Sequence, residues 1–99
     1  SDFNVSVNNT SLVIPKISVY PNPIKNTAVL SYTLEHQENL TIQLTDLNGR
    51  ILQTYLHNEP QKTGTYQQSI DLPTYLSTNV YFLNIISPNG QVAIKVFKE

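Results

Sequence analysis

The 99-residue sequence contains no cysteine, methionine or tryptophan, and only three glycines. Without cysteine, neither a disulfide framework nor a thiolate metal site can form. Charged residues make up only 13% of the chain and the net charge is −1, so the electrostatic field favours neither nucleic acid nor an anionic membrane. No apolar run approaches the ~20 residues that a membrane-spanning helix needs. We therefore expect no nucleic-acid partner and no membrane-spanning helix.

Residue types that catalyse reactions or bind metals are sparse and scattered. His36 and His57 lie at predicted strand ends, without the spacing to a second histidine or a carboxylate that a metal site requires. Asp46 and Asp71 each end a predicted strand, where a carboxylate commonly organises a turn. The glycines stand apart, so the sequence has no glycine-rich phosphate loop. We expect no metal, no cofactor and no enzymatic activity.

The first residues have the composition of a linker, which we assign to residues 1–16. Ser1-Asp2-Phe3-Asn4 has neither the basic start nor the apolar block of a secretory signal. If the protein is secreted, we therefore expect this sequence to be the C-terminal part of a longer precursor, with the linker following a preceding domain. Phe3, Val5 and Val7 alternate with polar residues, which leaves a short extra strand open at this position.

From residue 17 onward the sequence is typical of β-structure, and no window sustains helical spacing. Short stretches of alternating apolar and polar residues are separated by turn residues at regular intervals. This pattern predicts that residues 17–99 form an all-β, Ig-like, two-sheet antiparallel sandwich of about seven strands. The predicted strands are residues 17–20, 27–34, 39–46, 50–57, 65–71, 80–87 and 91–98.

Alternation within the strands predicts which side chains face the core. Residues 80–86 are almost continuously apolar, so we expect a central strand that is buried on both faces. Two other strands alternate and should each bury one face. The residues predicted to share one face are Ala28, Leu30, Tyr32 and Leu34 in the first strand and Leu40, Ile42 and Leu44 in the next.

The first hairpin with a definable register turns at Asp46-Leu47-Asn48-Gly49-Arg50. A two-residue turn at Asn48-Gly49 would pair apolar with polar residues across the two strands. A three-residue loop, with Gly49 at positive φ closing a bulge, keeps each face uniform, and we choose it. Its register pairs Leu44 with Leu52, Leu40 with Leu56, Gln43 with Gln53 and Asp46 with Arg50.

The second hairpin turns at Ser87-Pro88-Asn89-Gly90-Gln91. Pro88 suits the first turn position and Gly90 suits the left-handed position. This hairpin would hold the last residues of the sequence in a defined place. Its register would place Ile86 opposite Val92 and Tyr81 opposite Phe97.

Tyr20-Pro21-Asn22-Pro23 is the most distinctive short segment of the sequence. Each proline fixes its own φ and lacks an N–H donor, and each pushes the residue before it toward extended backbone. Tyr20 and Asn22 both precede a proline. We therefore expect a stiff, extended segment followed by a turn.

These landmarks together resemble the type A C-terminal sorting domain of the type IX secretion system, found on secreted proteins of the Bacteroidetes. The resemblance covers residues 17–99 and rests on the order, spacing and terminal position of the motifs. One residue departs from the pattern. Asn79 stands where the family usually has glycine, and asparagine is the next best residue for a left-handed backbone. The matching motifs, in chain order, are Tyr20-Pro21-Asn22-Pro23, Val29-Leu30, residues 44–50, Gly64 with Ile70-Asp71-Leu72, Leu76, Val80-Tyr81-Phe82-Leu83, and Lys95 with Lys98.

The resemblance implies a folded transport signal. In this family, cargo crosses the inner membrane by an ordinary signal peptide and folds in the periplasm, and the C-terminal domain then directs it through the outer-membrane translocon. A surface sortase commonly removes the domain and attaches the cargo to lipopolysaccharide, while some cargo is released. The implied partners are the translocon, shuttle and sortase components and the N-terminal cargo domain of the same precursor. The linker ending near Pro15 would be the cleavage region.

Ten residues are candidates for recognition by the secretion machinery or for a structural role. In a structural role, the prolines would fix the path of the chain and block edge pairing, and the lysines would be solvated edge residues. The Asp–Arg pair would otherwise stabilise its hairpin, with an exposed ion pair worth about 0–1 kcal/mol. The candidates are Tyr20, Pro21, Asn22, Pro23, Asp46, Gly49, Arg50, Tyr81, Lys95 and Lys98.

Two other functions remain open. The six tyrosines could form the stacking platform of a carbohydrate-binding or other accessory Ig-like module of a secreted enzyme or adhesin, although β-propensity also favours tyrosine in sheets. The domain could also be a passive stalk. A sugar-binding module would present several tyrosine rings coplanar on one face, whereas a sorting domain should carry no exposed aromatic platform.

Overall fold

The computed structural model describes residues 5–7 and 14–99, which form eight β-strands and no helix. Seven of the strands lie within residues 17–99, and the predicted all-β sandwich is confirmed. The eighth is the extra strand left open by the alternation near the start of the chain; Phe3 and residues 8–13 lie outside the described residues. The strands are β1 (Val5–Val7), β2 (Ile17–Tyr20), β3 (Thr27–Leu34), β4 (Glu38–Thr45), β5 (Ile51–Gln61), β6 (Gly64–Asp71), β7 (Asn79–Ser87) and β8 (Gly90–Lys98).

Strand boundaries follow the sequence pattern closely. β2 and β3 have the predicted bounds, and β4, β6, β7 and β8 differ from prediction by one residue at one or both ends. β5 is the exception, because it ends at Gln61 rather than at His57.

Two antiparallel sheets enclose one hydrophobic core. The larger sheet has the order β1-β8-β7-β4-β5 and the smaller sheet the order β2-β3-β6. β7 is therefore the central strand of the larger sheet, as predicted. Its core-facing residues Tyr81, Leu83 and Ile85 are buried, but Phe82 and Ile86 on the outer face are only partly buried. The expected burial of both faces is wrong, because no third layer of the described chain covers the outer face.

The core uses the side chains that the alternation predicts. Ala28, Leu30, Tyr32 and Leu34 of β3 are buried, as are Leu40, Ile42 and Leu44 of β4. Each large aliphatic side chain removed from water in this way stabilises the fold by about 1.5–3 kcal/mol. The core also includes Ile24, which lies in the loop between β2 and β3.

The β4–β5 register differs from the predicted one beyond the turn. Asp46 and Arg50 are cross-strand neighbours, as predicted, since the Asp46 N–H donates to the Arg50 carbonyl at 3.1 Å. Three register shifts then displace β5 relative to β4, and the remaining predicted pairs are wrong. Leu44 pairs with Gln53 instead of Leu52, Gln43 with Thr54 instead of Gln53, and Leu40 with Glu59 instead of Leu56.

The three register shifts are β-bulges, and the packing of β5 side chains accounts for them. Leu52 and Tyr55 have no direct partner on β4, and both pack against the core at the edge of the sheet. The Tyr55 hydroxyl also donates to the Asp71 carbonyl at 2.8 Å, which connects β5 to the end of β6 in the other sheet. An inserted residue interrupts the two-residue period, so strict alternation could not predict this register.

The β7–β8 hairpin closes through the two-residue turn Pro88-Asn89, with Ser87 opposite Gly90. Pro88 takes the first turn position as predicted, but Gly90, with a φ of 152°, already begins β8. The predicted register is wrong by one residue, because buried side chains pair with buried side chains. Ile86 lies opposite Gln91 rather than Val92, and Tyr81 lies opposite the buried Val96 rather than the exposed Phe97.

Candidate recognition surface

One end of the sandwich brings together the segments that the sequence singled out. The loops β2–β3, β4–β5 and β6–β7 lie there, and β8 ends there. The two sheets are connected at this end, where the Glu99 N–H donates to the Ile24 carbonyl and the Tyr55 hydroxyl donates to the Asp71 carbonyl, each at 2.8 Å. Residues 20–23, residues 46–50 and the last residues of β8 therefore share one end of the fold.

Residues 20–23 carry the chain from β2 in the smaller sheet to the edge of β8 in the larger one. Tyr20 is the last residue of β2, and the backbone bends at residues 21–23. The Tyr20–Pro21 and Asn22–Pro23 peptide bonds are cis. The expected extended conformation is wrong for residues 21–23, since the chain has to leave one sheet and reach the other within this short loop.

Asn22 and Ile24 take the place of a neighbouring strand beside the last residues of β8, and we call these two residues the clasp. The Phe97 N–H donates to Asn22 Oδ1 at 2.9 Å, and Asn22 Nδ2 lies 3.5 Å from the Lys95 carbonyl oxygen to which it donates. The Ile24 N–H donates to the Phe97 carbonyl at 2.7 Å, and the Ile24 carbonyl accepts from Glu99. The Ile24 side chain is fully buried, which anchors the clasp in the core. Sequence reasoning missed Ile24, whose only signal was an aliphatic side chain in a loop of proline, asparagine and lysine.

Asp46 organises the β4–β5 turn through its carboxylate. Oδ1 accepts the N–H groups of Asn48 and Arg50, each at 2.9 Å, and Oδ2 lies 3.3 Å from Arg50 Nε. These contacts, first the backbone N–H of Arg50, lower the pKa of Asp46. Gly49 has a φ of 85°, as predicted, and its N–H donates to the Asp46 carbonyl at 3.0 Å. The pair thus stabilises its turn, while the Arg50 side chain stays 77% exposed.

The same end exposes large apolar side chains, and we call this set the apolar end. A groove of about 350 Å³ lies between the 46–50 turn and the β6–β7 loop, with Leu47 and Tyr75 in its lining. A second groove of about 320 Å³ is lined by Pro23, Val80 and Phe97. Clustered exposed apolar side chains mark interaction sites, whereas single ones do not. The apolar end consists of the exposed side chains in these two linings, Leu47 (60% exposed), Tyr75 (72%) and Phe97 (41%).

The remaining candidate residues lie on β7 and β8. Tyr81 is buried, and its hydroxyl donates to the Ser77 carbonyl at 2.8 Å, so it packs in the core and holds the β6–β7 loop. Lys95 and Lys98 are partly buried on β8. The structure therefore gives Tyr81 a supporting position beneath the apolar end, and gives the two lysines positions on the strand that the clasp covers.

Asn79 does not adopt the left-handed backbone that the resemblance led us to expect. It is the first residue of β7, and among the non-glycine residues that the structure describes only Asn58 has a positive φ. Asn79 Oδ1 accepts the N–H of Val80 at 2.8 Å, a contact that glycine could not make. The strand begins here with a side-chain hydrogen bond in place of a special backbone conformation.

The six tyrosines, all within the described residues, do not form an exposed coplanar platform. Tyr32 and Tyr66 stack with ring centroids 5.4 Å apart and an interplanar angle of 14°, but Tyr32 is buried in the core. Burial raises the pKa of Tyr32 to about 12. Tyr20 and Tyr75 are the exposed ones; Tyr20 ends β2 and Tyr75 lies in the β6–β7 loop. This arrangement is not that of the carbohydrate-binding alternative.

Among the other titratable residues, Asp71 supports the fold. Asp71 accepts a hydrogen bond from the Thr27 hydroxyl at 3.0 Å, which closes the end of the β3–β6 pair. His36 and His57 are exposed. In residues 5–7 and 14–99, no three histidine or acidic side chains come together as metal ligands. The same residues include no helix long and apolar enough to cross a membrane.

Comparison with protein families decides what this domain is. The model of the secretion system C-terminal sorting domain matches residues 18–99. The chain belongs to this family. The match spans the clasp, the Asp46 turn and the terminal hairpin, so the resemblance to the type IX sorting domains of Bacteroidetes is confirmed, and with it a role as a signal for secretion or cell-surface export. A search of the curated proteins finds no match.

Proposed function

We propose that this sorting domain is a non-catalytic signal that directs a larger cargo protein through the type IX translocon to the cell surface. The family match over residues 18–99 carries the proposal, because it extends over strands of both sheets rather than one motif. The cargo would precede residues 17–99 in the same precursor. Translocon, shuttle and sortase components of the secretion system would bind the folded domain.

The apolar end is the surface on which we expect the machinery to dock. Its two grooves share Asn79 and Val80 in their linings, so they are adjacent parts of one surface. Leu47 and Tyr75 offer exposed apolar anchors, and the Arg50 guanidinium lies at the rim. Aromatic anchors with arginine nearby are the side chains on which protein interfaces most depend.

The clasp supports this role by fixing the last strand. Its hydrogen bonds to Phe97 and Glu99 hold the end of β8 against the sandwich. Phe97 belongs to the apolar end, so its exposed ring is presented in one defined position. A preorganised ligand loses less conformational entropy when it binds.

We also propose that residues 1–16 are a linker in which the sortase cuts, near Pro15. Pro15 and Lys16 are exposed and precede β2, and the family match begins at residue 18. A protease needs a segment that it can hold in extended form, and exposed chain between two strands meets that requirement. A cut at this position would separate β1 from the chain that forms β2–β8.

A reporter fusion tests the secretion signal. The 99-residue chain is fused behind a folded periplasmic reporter in a bacterium that has the type IX system, and the reporter is measured in the periplasm, on the cell surface and in the medium. The proposal predicts export that requires the translocon. Retention of the reporter in the periplasm, equal in strains with and without the translocon, would show that the proposal is wrong.

A paired substitution tests the docking surface separately. Leu47→Ser with Tyr75→Ser removes two exposed anchors, so export should fall about tenfold or more while stability changes little. The matched control is His36→Ser with His57→Ser, two exposed rings away from the apolar end, which should leave export unchanged. Equal export of both double variants would remove the apolar end as the docking surface and leave the secretion role standing.

A further inference from the structure

The outer side of β8 is covered by two short segments instead of one full strand. Beside its last residues lies the clasp, which binds the backbone of Phe97 and Glu99 through the Asn22 side chain and the Ile24 backbone. Further from the C-terminus, β1 pairs antiparallel with Val92, Ala93 and Ile94. β8 spans Gly90–Lys98, so the three residues of β1 cover only part of it.

The two coverings differ in how firmly they are attached. The clasp lies in a loop bounded by β2 and β3, and its Ile24 side chain is in the core. β1 is the edge strand of the larger sheet and pairs with β8 alone. The few hydrogen bonds of a three-residue strand only partly offset the backbone entropy lost when it is ordered. β1 is therefore the covering that another strand can replace.

We propose that the edge of β8 at residues 92–94 is a strand-binding site, which β1 fills in the resting domain and which an extended segment of another protein fills in its place. Addition of a strand to an exposed sheet edge is a general mode of peptide recognition, in which main-chain hydrogen bonds supply affinity. An uncovered edge is a template for such pairing. This inference depends on the sheet geometry and is independent of the secretion role.

The register of β1 indicates the chemistry of the occupant. Val5 and Val7 are paired with Ile94 and Val92, both of which are buried, whereas Ser6 is paired with the less buried Ala93. Cross-strand neighbours of matching chemistry stabilise a pair, and β-branched residues suit a pleated surface. The occupant is thus an antiparallel segment with two β-branched apolar residues flanking one small polar residue.

Peptide binding to the full chain tests the site. The probe is a fluorescent synthetic peptide with the sequence of residues 1–13, and its binding is followed by fluorescence anisotropy. Ser6→Pro with Val7→Pro should empty the site, because adjacent strand residues alternate in facing the neighbour and one of the two prolines must remove a donor that faces β8. This variant should bind the peptide about tenfold or more tightly than the unaltered chain, whose own β1 competes at high effective concentration.

A cross-linked variant provides the complementary test. The sequence has no cysteine, so Ser6→Cys with Ala93→Cys, at paired positions, can form only this disulfide within the chain. The oxidised form should bind no peptide, and reduction should restore the binding of the unaltered chain. Equal binding by the oxidised and reduced forms would overturn the proposal, whether or not the proline variant folds.

Two further outcomes would also overturn it. A peptide with asparagine in place of Val5 and Val7 should not bind; equal binding of this peptide would mean that the edge does not select the proposed chemistry. Sedimentation of the unaltered chain should show a monomer. A concentration-dependent dimer that the oxidised cross-link abolishes would assign the edge to a second copy of this chain instead.

Discussion

The side chain of Asn22 and the backbone of Phe97 are hydrogen-bonded across 75 residues of sequence, with the Phe97 N–H donating to Oδ1 at 2.9 Å. The Tyr20-Pro21-Asn22-Pro23 segment is therefore part of the sheet edge at which the chain ends. Side-chain and backbone groups of Asn22 and Ile24 satisfy donors and acceptors that an edge strand would otherwise present to solvent. This contact gives a physical reason for the segment that needs no partner protein.

Loss of the Asn22 side chain should loosen this edge. Asn22→Ala removes the acceptor of the Phe97 N–H, and the free energy of unfolding should fall by about 0.5–1.5 kcal/mol, the usual net value of a hydrogen bond. Urea denaturation measures the loss, and hydrogen exchange of the Phe97 amide should become faster. The matched control is Asn26→Ala, an exposed residue of the same loop whose backbone carbonyl, retained in alanine, accepts from Leu72. Equal destabilisation by both substitutions would contradict the clasp.

Gly49 should resist replacement for a purely conformational reason. Its φ of 85° lies in the left-handed region, and a Cβ placed on it would meet nothing within 4 Å. Gly49→Ala should therefore destabilise the domain by about 1–2 kcal/mol, the strain of an L-residue in this region. Gly49→Asn should cost less, because asparagine tolerates this backbone. Thermal or urea unfolding compares the three forms, and equal stability of the alanine and glycine forms would refute the argument.

Strand positions could be predicted because the signal that sets them is local. The alternation in β3 and β4 determines which face enters the core, and turn residues mark where each strand stops. Register depends on side chains further away. Leu52 and Tyr55 bulge out of the ladder to reach the core. The Pro88-Asn89 turn is one residue shorter than the loop that the predicted pairing of Ile86 with Val92 requires. Neither the bulges nor the shorter turn changes which residue types make up the strands, so the strand pattern does not indicate the register.

The candidate site was predictable to a similar extent. Asp46 and Arg50 flank one short turn, so their pairing could be inferred from spacing. Ile24 reaches β8 only because the two sheets pack together. No pattern in the sequence between Ile24 and β8 indicates this contact. Leu47 and Tyr75 likewise lie in separate loops, and they line one groove because the antiparallel topology returns both loops to the same end.

Acid should weaken the domain in part through Asp46. Its pKa is lowered in the folded state, first by the backbone N–H of Arg50, so the folded protein favours the charged form. The resulting stabilisation is present above the unfolded pKa of about 3.9 and is lost as the pH falls through the lower folded value. Asp46→Asn should be less stable at neutral pH and show a smaller loss in acid. Urea midpoints across the acidic range measure this, with the exposed Glu35→Gln as control. An unchanged acid slope in Asp46→Asn would contradict the prediction.

Alkali should act on the core through Tyr55. Burial, assisted by the negative charge of Asp71, raises the pKa of Tyr55 to about 12, so the folded state favours the neutral phenol. The stabilisation from this group is complete below the unfolded pKa of about 10 and is lost as the pH rises through the folded value. Tyr55→Phe should cost about 0.5–1.5 kcal/mol at neutral pH, because the hydrogen bond to the Asp71 carbonyl is lost.

The same variant should lose less stability than the unaltered protein when the pH is raised, so the two urea midpoints should converge in alkali. Tyr75→Phe is the matched control, since Tyr75 is 72% exposed and its replacement should leave the stability at neutral pH unchanged. Tyrosinate absorbance measures ionisation directly, and Tyr55→Phe should remove a component that titrates late. Removal of an early component instead would show that the Tyr55 hydroxyl is solvated and does not connect β5 to the end of β6.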